Sequence, residues 1–300
     1  NSRMVHNYDV LKNPATYMET VYKALYNGYY YNSGYTAERA YLQANSELVG
    51  SMGYQIYTVP TGQNLIGRNG KLNPYATLGY SDGEYYYTPD NWEDETFSNN
   101  MRQEYNLSVS GGTEKLNYYF SANYMNDQGI IESSGFKRLS TRLNVDYQVK
   151  KWLKLGVNLS YANVESLYPD EQTKAGSSVN AFQIANFIAP VYPIFVRDAS
   201  GAIMHDPNSG LPVYDYGDGN STNFSRNWQS MSNPKGGLLY DTNTYLMDIL
   251  NGKWYAKIDI IDGLSLTGSL GVHIDNTRYR SVGNKYYGQS ASYGGSILQQ

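Results

Sequence analysis

Polar and apolar residues alternate along most of the stretch from Gln103 to Glu165. Apolar or aromatic side chains occupy every second position, and polar side chains occupy the positions between them. Because successive side chains of a β-strand point to opposite faces, this period of two predicts strands with one apolar and one polar face. Six strands are predicted, at 103–110, 115–125, 137–149, 153–165, 246–260 and 264–275. The apolar positions of the second, third and fourth strands include Leu116, Tyr118, Phe120, Ala122, Tyr124, Leu139, Leu143, Val145, Tyr147, Val149, Leu153, Leu155, Val157, Leu159 and Tyr161.

Alternation by itself is compatible with two surroundings for the apolar face. A soluble β-sandwich turns such a face toward a protein core, whereas a membrane β-barrel turns it toward lipid. The predicted runs are about ten residues or longer, which is the length that a tilted strand needs to cross a bilayer. Strands of soluble domains are usually about five or six residues long. Strand length therefore favours the membrane barrel.

The connections between the predicted strands also differ in length. Short turns at 111–114, 150–152 and 262–263 alternate with long connections at 126–136 and 166–244. Outer-membrane barrels have short periplasmic turns and long extracellular loops. This asymmetry places the long connections outside the cell.

Aromatic residues lie near both ends of the predicted apolar face, as in the two interfacial girdles of membrane barrels. Tyr105, Tyr124 and Tyr161 lie toward the long connections, and Tyr118, Tyr147 and Trp152 lie toward the short turns.

The charged residues of the strand 137–149 determine its orientation. A shift by one residue would turn Arg142, in the middle of the strand, toward lipid, at a cost of about 2–4 kcal/mol near the bilayer midplane. The pattern therefore predicts that Arg138, Arg142 and Asp146 face the lumen of a barrel.

Several ordered motifs resemble those of a known family. The chain contains W-x-D-x-x-F (Trp92, Asp94, Phe97), Q-x-Y-N-x-S-V-S-G-G (103–112), Y-x-F-S-x-x-Y-x-x-D-x-G-I-I (118–131), F-K-R-x-S-x-R-x-N (136–144) and K-W-L-K (151–154). Together these resemble the early barrel strands of the SusC-like, or RagA-like, TonB-dependent outer-membrane transporters. The match is dense over 92–161 and looser over 245–275.

The resemblance implies a fold and a function. The fold class would be all-β, with about six antiparallel strands of a larger, 22-stranded transmembrane barrel and long extracellular loops that contain short helices. Such a protein lies in the outer membrane of a Gram-negative bacterium, contacts its lipid, and contains a plug through which the TonB complex acts. It imports oligosaccharides or peptides together with a SusD-like surface lipoprotein. The chain lacks an initial methionine and a signal peptide and is about a third as long as such a transporter, so we expect an internal fragment without the plug.

The expected division of the chain follows from the strands. It consists of an extracellular loop region with short helices (1–102), four barrel strands (103–165), a long extracellular loop (166–244), a barrel hairpin (245–275) and the start of the next extracellular loop (276–300). A first helix is predicted from Asn13–Pro14, a good N-cap pair, to Asn27–Gly28. A second is predicted over Thr36–Leu48 and a third over Val179–Ala189, where Pro190 ends it.

Composition excludes several other classes of protein. The net charge of -4 and the pI of about 5.4 do not favour nucleic-acid binding, which needs a basic patch. The absence of cysteine excludes a disulfide scaffold and thiolate metal sites. A mean hydropathy of -0.56 and the lack of a long apolar run exclude a helical membrane protein.

Catalytic motifs are absent from the sequence. The histidines His6, His205 and His273 stand in no G-x-S-x-G, H-E-x-x-H or comparable pattern. We therefore expect neither an enzyme nor a cofactor.

Aromatic side chains of the loops are the candidates for ligand contact, because 33 tyrosines supply flat rings with a polar tip. Packing against neighbouring loops is the alternative explanation for each of them. Trp228, Tyr214 and Tyr216 are expected to be exposed, because Pro, Gly, Asn and Asp surround them. The candidates for ligand binding are Tyr29, Tyr30, Tyr85, Tyr86, Tyr214, Tyr216 and Trp228, and those facing the lumen or the plug are Arg138, Arg142, Asn144 and Asp146.

One acidic, glycine-rich segment, Y-D-Y-G-D-G-N at 214–220, has oxygen atoms suited to a metal. Asp215, Asp218 and Asn220 can supply ligands for Ca²⁺, although the spacing is not that of an EF-hand and a solvated turn explains the segment equally well.

Two other functions remain open at this point. The first is a TonB-dependent transporter for a different cargo, such as an iron chelate or cobalamin. The second is a soluble or surface β-rich module for binding or adhesion.

Overall fold

The computed structural model describes residues 2–3, 10–169, 180–286 and 288–300. Its helices are α1 (Pro14–Asn27), α2 (Ala37–Met52), α3 (Trp92–Thr96), α4 (Ala181–Phe187), α5 (Pro234–Tyr240) and α6 (Gly288–Ser292), with a π-helical turn at Gly28–Asn32. Its strands are β1 (Ser2–Arg3), β2 (Tyr57–Thr58), β3 (Thr77–Leu78), β4 (Tyr80–Ser81), β5 (Tyr86–Tyr87), β6 (Asn100–Gly112), β7 (Leu116–Gln128), β8 (Gly135–Lys150), β9 (Leu153–Tyr168), β10 (Thr242–Ile261), β11 (Leu264–Gly283) and β12 (Ser296–Gln299). Across the described ranges, no helix has both the length and the apolar character needed to cross a membrane.

One large antiparallel sheet contains all the long strands. Its order is β1-β6-β7-β8-β9-β10-β11-β12, so that the strands from β6 to β12 each pair with the next strand in sequence, and β1 pairs with β6. The short strands β1 and β12 extend the two edges. The predicted fold class, antiparallel all-β with loops that contain short helices, is confirmed.

The register of the sheet gives each face a uniform character, as predicted. Leu143 of β8 lies between Phe120 of β7 and Leu159 of β9, so the apolar positions of three strands form one row. Arg142, the preceding residue, lies between Ser121 and Ser160 on the other face. We call these two surfaces the apolar face and the polar face. The apolar face continues onto β10 and β11, where Trp254 pairs with Leu270 and Leu250 pairs with Ile274.

The connections are short at one end of the sheet. They lie at 113–115, 151–152 and 262–263, between strands that pair almost to their ends. At the other end, the long connection predicted at 126–136 is wrong, because β7 and β8 continue to the pair Gln128–Gly135. A compact turn at 129–134 joins them, in which the Gly129 N–H donates to the Ser134 carbonyl oxygen (3.0 Å). The two ends of the sheet still differ in the length of their connections, as predicted, because the long segments around 4–99 and 169–241 lie at this second end.

Strand β11 is also longer than predicted. The loop expected from residue 276 begins only after Gly283, because Arg278, Arg280 and Val282 still pair with residues of β10. The alternating apolar pattern stops at Asn276, where polar residues follow, but backbone pairing with β10 continues beyond it.

Residues 10–99 and 180–240, which we call the loop layer, pack at the long-connection end of the sheet. Both predicted helices near its start are present. The Asn13 side chain accepts a hydrogen bond from the Thr16 N–H (3.0 Å) and caps α1, which ends at Asn27 as predicted. Thr36 caps α2, which runs one turn beyond the predicted end to Gly53, a glycine in the left-handed conformation (φ 82°).

Aromatic residues from distant parts of the chain form the core of the loop layer. The Tyr54 ring lies 6.1 Å from that of Tyr87, 5.2 Å from that of Tyr192 and 5.5 Å from that of Phe224. Met18 and Leu48 of the two helices are fully buried against the same cluster. The loop layer is therefore folded, as expected of a segment of this length.

A second, smaller cluster joins the loop layer to the sheet. Phe97 pairs with Ile131 in an isolated bridge at the β7–β8 turn and lies 5.1 Å from the ring of Phe182. The Ser98 N–H donates to the Ile130 carbonyl oxygen (2.8 Å). The turn at 129–134 thus anchors the loop layer, which explains its compact form.

The third predicted helix is shorter than expected. Helix α4 begins after its N-cap Asn180 and ends at Phe187, three residues before Pro190. Val179, the predicted start, lies outside the described residues. Helix α5 was not predicted, although Asn233–Pro234 repeats the N-cap pair of α1.

Gly53 provides a test of the packing between α2 and the rest of the loop layer. A Cβ atom at Gly53 would lie 2.0 Å from the Ser225 carbonyl oxygen, and the positive φ disfavours any L side chain. We expect Gly53→Ala to make the loop layer of the full-length protein much more sensitive to trypsin. The control is Gly50→Ala, since Gly50 lies within α2 with open space around its Cβ position and alanine favours the helix by about 0.5–1 kcal/mol. Equal sensitivity of the two variants would contradict the packing described here.

Candidate functional site

The predicted lumen-facing residues lie together on the polar face of β8. Arg138, Arg142, Asn144 and Asp146 alternate there with the apolar positions of the strand. Arg138 faces Met125 and Val164 across the neighbouring strands, and its buried Nε atom has no hydrogen-bond partner among the described residues. The polar face is therefore lined with charge and amide groups at this position.

Asp146 is part of a polar cluster that spans three strands. Its carboxylate accepts hydrogen bonds from the Lys154 ammonium group (3.1 Å) and from the Tyr255 hydroxyl. The Tyr255 ring lies over Gly156, where a side chain would collide with it. This cluster fixes the register of β8, β9 and β10 by side-chain contacts in addition to the backbone ladder.

His273 also lies on the polar face, next to Asn251. Its Nδ1 atom is 2.7 Å from the Asn251 Oδ1 atom. The two residues continue the row of Arg142 and Ser160 across β9, β10 and β11. A shallow cavity of about 390 Å³ opens above this row.

The loop layer contains a cluster of buried charged residues that the sequence did not predict. Asp215 is fully buried, and its two carboxylate oxygens accept hydrogen bonds from the Tyr54 hydroxyl (3.0 and 2.9 Å). Burial raises the pKa of Asp215 to about 6, although the Gly217 N–H and the positive charge of Arg226 act against this increase. Burial likewise lowers the pKa of the Arg226 guanidinium, which the carboxylate of Asp215 counteracts.

The chain shares sequence with proteins named as receptors. It is 24% identical over 187 residues to TonB-dependent receptor P3 of Formosa agariphila, a match that covers 62% of this chain and 17% of that protein. It is 26% identical over 145 residues to TonB-dependent receptor SusC of Bacteroides thetaiotaomicron, with 48% of this chain and 13% of SusC covered. The chain is therefore similar in sequence to part of the SusC-like TonB-dependent receptors. No protein-family model matches it.

Solved structures agree with this chain in fold. A chain of the RagAB peptide transporter superposes with a TM-score of 0.54 at 21% identity, covering 94% of the segment and 28% of that chain. The RagAB peptide importer in its "closed-closed" state gives a TM-score of 0.57 at 20% identity, over 96% and 28% of the two chains. The segment thus spans less than a third of the length of each relative or structure, and the motif resemblance of the sequence is confirmed.

Several of the motif residues have structural roles in the loop layer. The Trp92 indole N–H donates to the Tyr192 carbonyl oxygen (2.9 Å), and its ring lies 5.6 Å from the Arg226 guanidinium carbon. Phe97 joins the layer to the sheet, as described above. The W-x-D-x-x-F motif therefore holds the loop layer on the strands that follow it.

Two of the ligand-binding candidates lie at the end of α1 and are accessible. Tyr30 is 41% exposed, and its ring stacks on that of Tyr26 with 5.8 Å between the ring centres. Tyr29 is half-buried, stacks on Tyr35 at 5.4 Å and hydrogen-bonds with the Glu47 carboxylate. Tyr30 presents ring surface to solvent, whereas Tyr29 packs between α1 and α2.

The other accessible candidates lie elsewhere on the loop layer. Tyr85 and Tyr86 are half-buried, and the Tyr86 ring covers Gly79 and Gly201. Trp228 is 37% exposed. Within the described ranges, no ring contact joins these residues to the pair on α1, so the candidates do not form one aromatic surface.

Tyr214 and Tyr216 are buried, so the prediction that they are exposed is wrong. The segment around them pairs with 194–195 through the bridge Phe195–Tyr214 and the Asp215 N–H bond to Ile194 (2.8 Å). This pairing turns both rings into the core, where burial raises the pKa of Tyr214 to about 12. Neither ring presents a face to a ligand.

The three residues considered for Ca²⁺ serve different purposes. Asp215 belongs to the core, next to a positive charge that disfavours a cation. Asp218 accepts hydrogen bonds from the Asn220 and Ser221 N–H groups (3.0 and 3.2 Å), which is a turn. Within the described ranges, no group of three acidic, histidine or cysteine side chains is arranged to hold a metal.

The remaining histidines add no chemistry to these sites. His205 is exposed in the loop layer, with Nδ1 3.0 Å from the Ile203 carbonyl oxygen. His6 lies outside the described residues.

Proposed function

We propose that the segment forms part of the wall and the cell-surface loops of a TonB-dependent transporter in the outer membrane of a Gram-negative bacterium. The observation that supports this proposal most strongly is the apolar face of the sheet. Several of its residues are largely exposed: Leu266, Leu270 and Ile274 of β11 are 60%, 64% and 52% exposed. Contiguous apolar surface of this extent mediates contact with protein or lipid, and the polar opposite face fits the water-filled interior of a barrel.

The boundary of the apolar face matches a membrane interface. Tyr105 and Tyr124 pair with each other at its upper edge. One row higher, Lys137 pairs with Glu165, and their charged groups are 3.9 Å apart. Aromatic rings followed by charged groups mark the level of lipid headgroups, with the loop layer above it.

Closure of the barrel requires strands outside this segment. The edges of the described sheet, at β1 and β12, have backbone groups that further strands can pair with. We propose a barrel of 22 strands, as the family resemblance implies, with the domain division given above. The TonB complex would act on a plug that belongs to another part of the receptor.

The cargo in this proposal is an oligosaccharide or a peptide. The names of the relatives support this choice over an iron chelate or cobalamin, since one is SusC and the similar structures are of a peptide transporter. A SusD-like surface lipoprotein would close the receptor from outside, and the loop layer is the surface that it would meet. Tyr30 and Trp228 are exposed rings there that a cargo or the lipoprotein can contact.

Cysteine labelling in intact cells tests this topology, because the segment itself contains no cysteine. We expect cysteines introduced at Tyr31 and Trp228 of the full-length receptor to react with a membrane-impermeant maleimide. Cysteines at Asp262 and Lys151, in the short turns, should react only after the outer membrane is made permeable.

Labelling of the loops and turns to the same extent in intact cells would contradict the proposal. It is also the result expected of a soluble or surface-bound module, the alternative from another class of protein.

A further inference from the structure

The cavity on the polar face is built by four adjacent strands. One row of cross-strand neighbours consists of Arg142, Ser160, Asn251 and His273, and the next consists of Asn144, Asn158, Lys253 and Gly271. These residues line a space of about 390 Å³. Two cationic side chains, one imidazole and several amide groups therefore lie close together on this part of the sheet.

Small residues leave room between the two cations. Arg142 of β8 and Lys253 of β10 are separated by one intervening strand, about 10 Å across the sheet. Ser160 of that strand has a short side chain, and Gly271 beside Lys253 has none. The long side chains of Arg142 and Lys253 can therefore converge on a group that sits above β9.

The charge of the cavity is not compensated by the described chain. Arg142 and Lys253 form no ion pair with a described residue, whereas Lys154 and Lys257 of the polar face do. Lys154 is 3.1 Å from Asp146, and Lys257 is 3.2 Å from Asp259. A guanidinium and an ammonium group with nearby amide donors are suited to a carboxylate, sulfate or phosphate.

We propose that this cavity binds an anionic group of the transported cargo, so that the receptor prefers acidic oligosaccharides or acidic peptides. This inference rests on the proposed function, in which the polar face lines the path of the cargo. The charge complementarity of Arg142 and Lys253 selects the anionic group, and the cavity volume of about 390 Å³ admits a group carried on a sugar ring or a short side chain.

The test compares matched acidic and neutral probes on the purified full-length receptor. Calorimetry would measure binding of tri-galacturonate against maltotriose, and of tri-glutamate against tri-alanine. We expect the acidic member of at least one pair to bind more tightly, and the double variant Arg142→Gln, Lys253→Gln to weaken that binding by about tenfold or more. The control variant Lys257→Gln removes a paired cation from the same strand and face and should retain the preference.

Equal binding of acidic and neutral probes, or a preference that survives in the double variant, would overturn the inference. Heat-modifiable migration of each variant in gels shows separately that the barrel has assembled. If the double variant does not assemble, the inference is tested by a structure of the wild-type receptor in complex with the acidic probe that binds more tightly. Density for the probe at Arg142 and Lys253 supports the inference, and an acidic side chain of the receptor's own plug in the cavity refutes it. The labelling experiment above tests the proposed function independently, so failure of one is distinguishable from failure of the other.

Discussion

Replacement of Leu143 by arginine in the full-length receptor is expected to abolish its assembly in the outer membrane. Leu143 lies at mid-height on the apolar face, in one row with Phe120 and Leu159. An arginine at the bilayer midplane costs about 2–4 kcal/mol, and the strand cannot escape by a register shift without turning its polar residues to lipid. Membrane fractionation and heat-modifiable migration measure the amount of assembled receptor.

The matched control is Ser108→Arg. Ser108 lies on the polar face of β6 and pairs with Ser121, in the row that contains Arg142. An arginine there meets water rather than lipid, so this variant should assemble nearly as the wild type does. Normal assembly of Leu143→Arg would show that the apolar face does not contact lipid, and the barrel topology would be wrong.

The second large effect is expected in the loop layer, where Arg226→Met should destabilise the core. Arg226 is buried, donates from Nη2 to the Ser232 carbonyl oxygen, and compensates the charge of Asp215. Loss of this positive charge leaves the buried carboxylate of Asp215 without compensation, and a buried charge that loses its compensation typically costs about 3–5 kcal/mol. Hydrogen–deuterium exchange of 213–232 in the full-length receptor should accelerate by about a hundredfold or more.

Two further variants define the origin of that effect. The double variant Asp215→Asn, Arg226→Met removes both charges, so its exchange should be slower than that of Arg226→Met alone. The control Arg68→Met removes an exposed arginine that pairs with Glu38 and should change exchange little. Additive effects of the two core substitutions would mean that Asp215 and Arg226 do not interact.

The strands and their faces were predictable because the pattern that specifies them is local. Each of the six predicted strands is present, and Arg138, Arg142, Asn144 and Asp146 lie on the face to which alternation assigned them. The ends of the strands were less predictable. Backbone pairing continued through polar residues at Gln128–Gly135 and through Arg278–Gly283, where the hydrophobic pattern had already stopped.

Whether an aromatic residue of the loops is buried or exposed was not predictable from its neighbours in sequence. Tyr214 stands among Pro, Asp and Gly, which indicate an exposed loop, yet it is buried because its segment pairs with Phe195. Tyr30 and Trp228 lie in comparable surroundings and remain exposed. Contacts between residues far apart in the chain decide which of these rings are buried. A local pattern of polar and apolar residues does not contain that information.

The sequence by itself determined the alternation of faces, the long strands, the caps of α1 and α2 and the family motifs, because each depends on residues a few positions apart. The tertiary structure alone decided which tyrosines are buried, that Asp215 and Arg226 both lie in the core of the loop layer, and that Arg142, Lys253 and His273 border one cavity. These features depend on which strands and loops meet, and that choice is made by the burial and pairing of the whole chain.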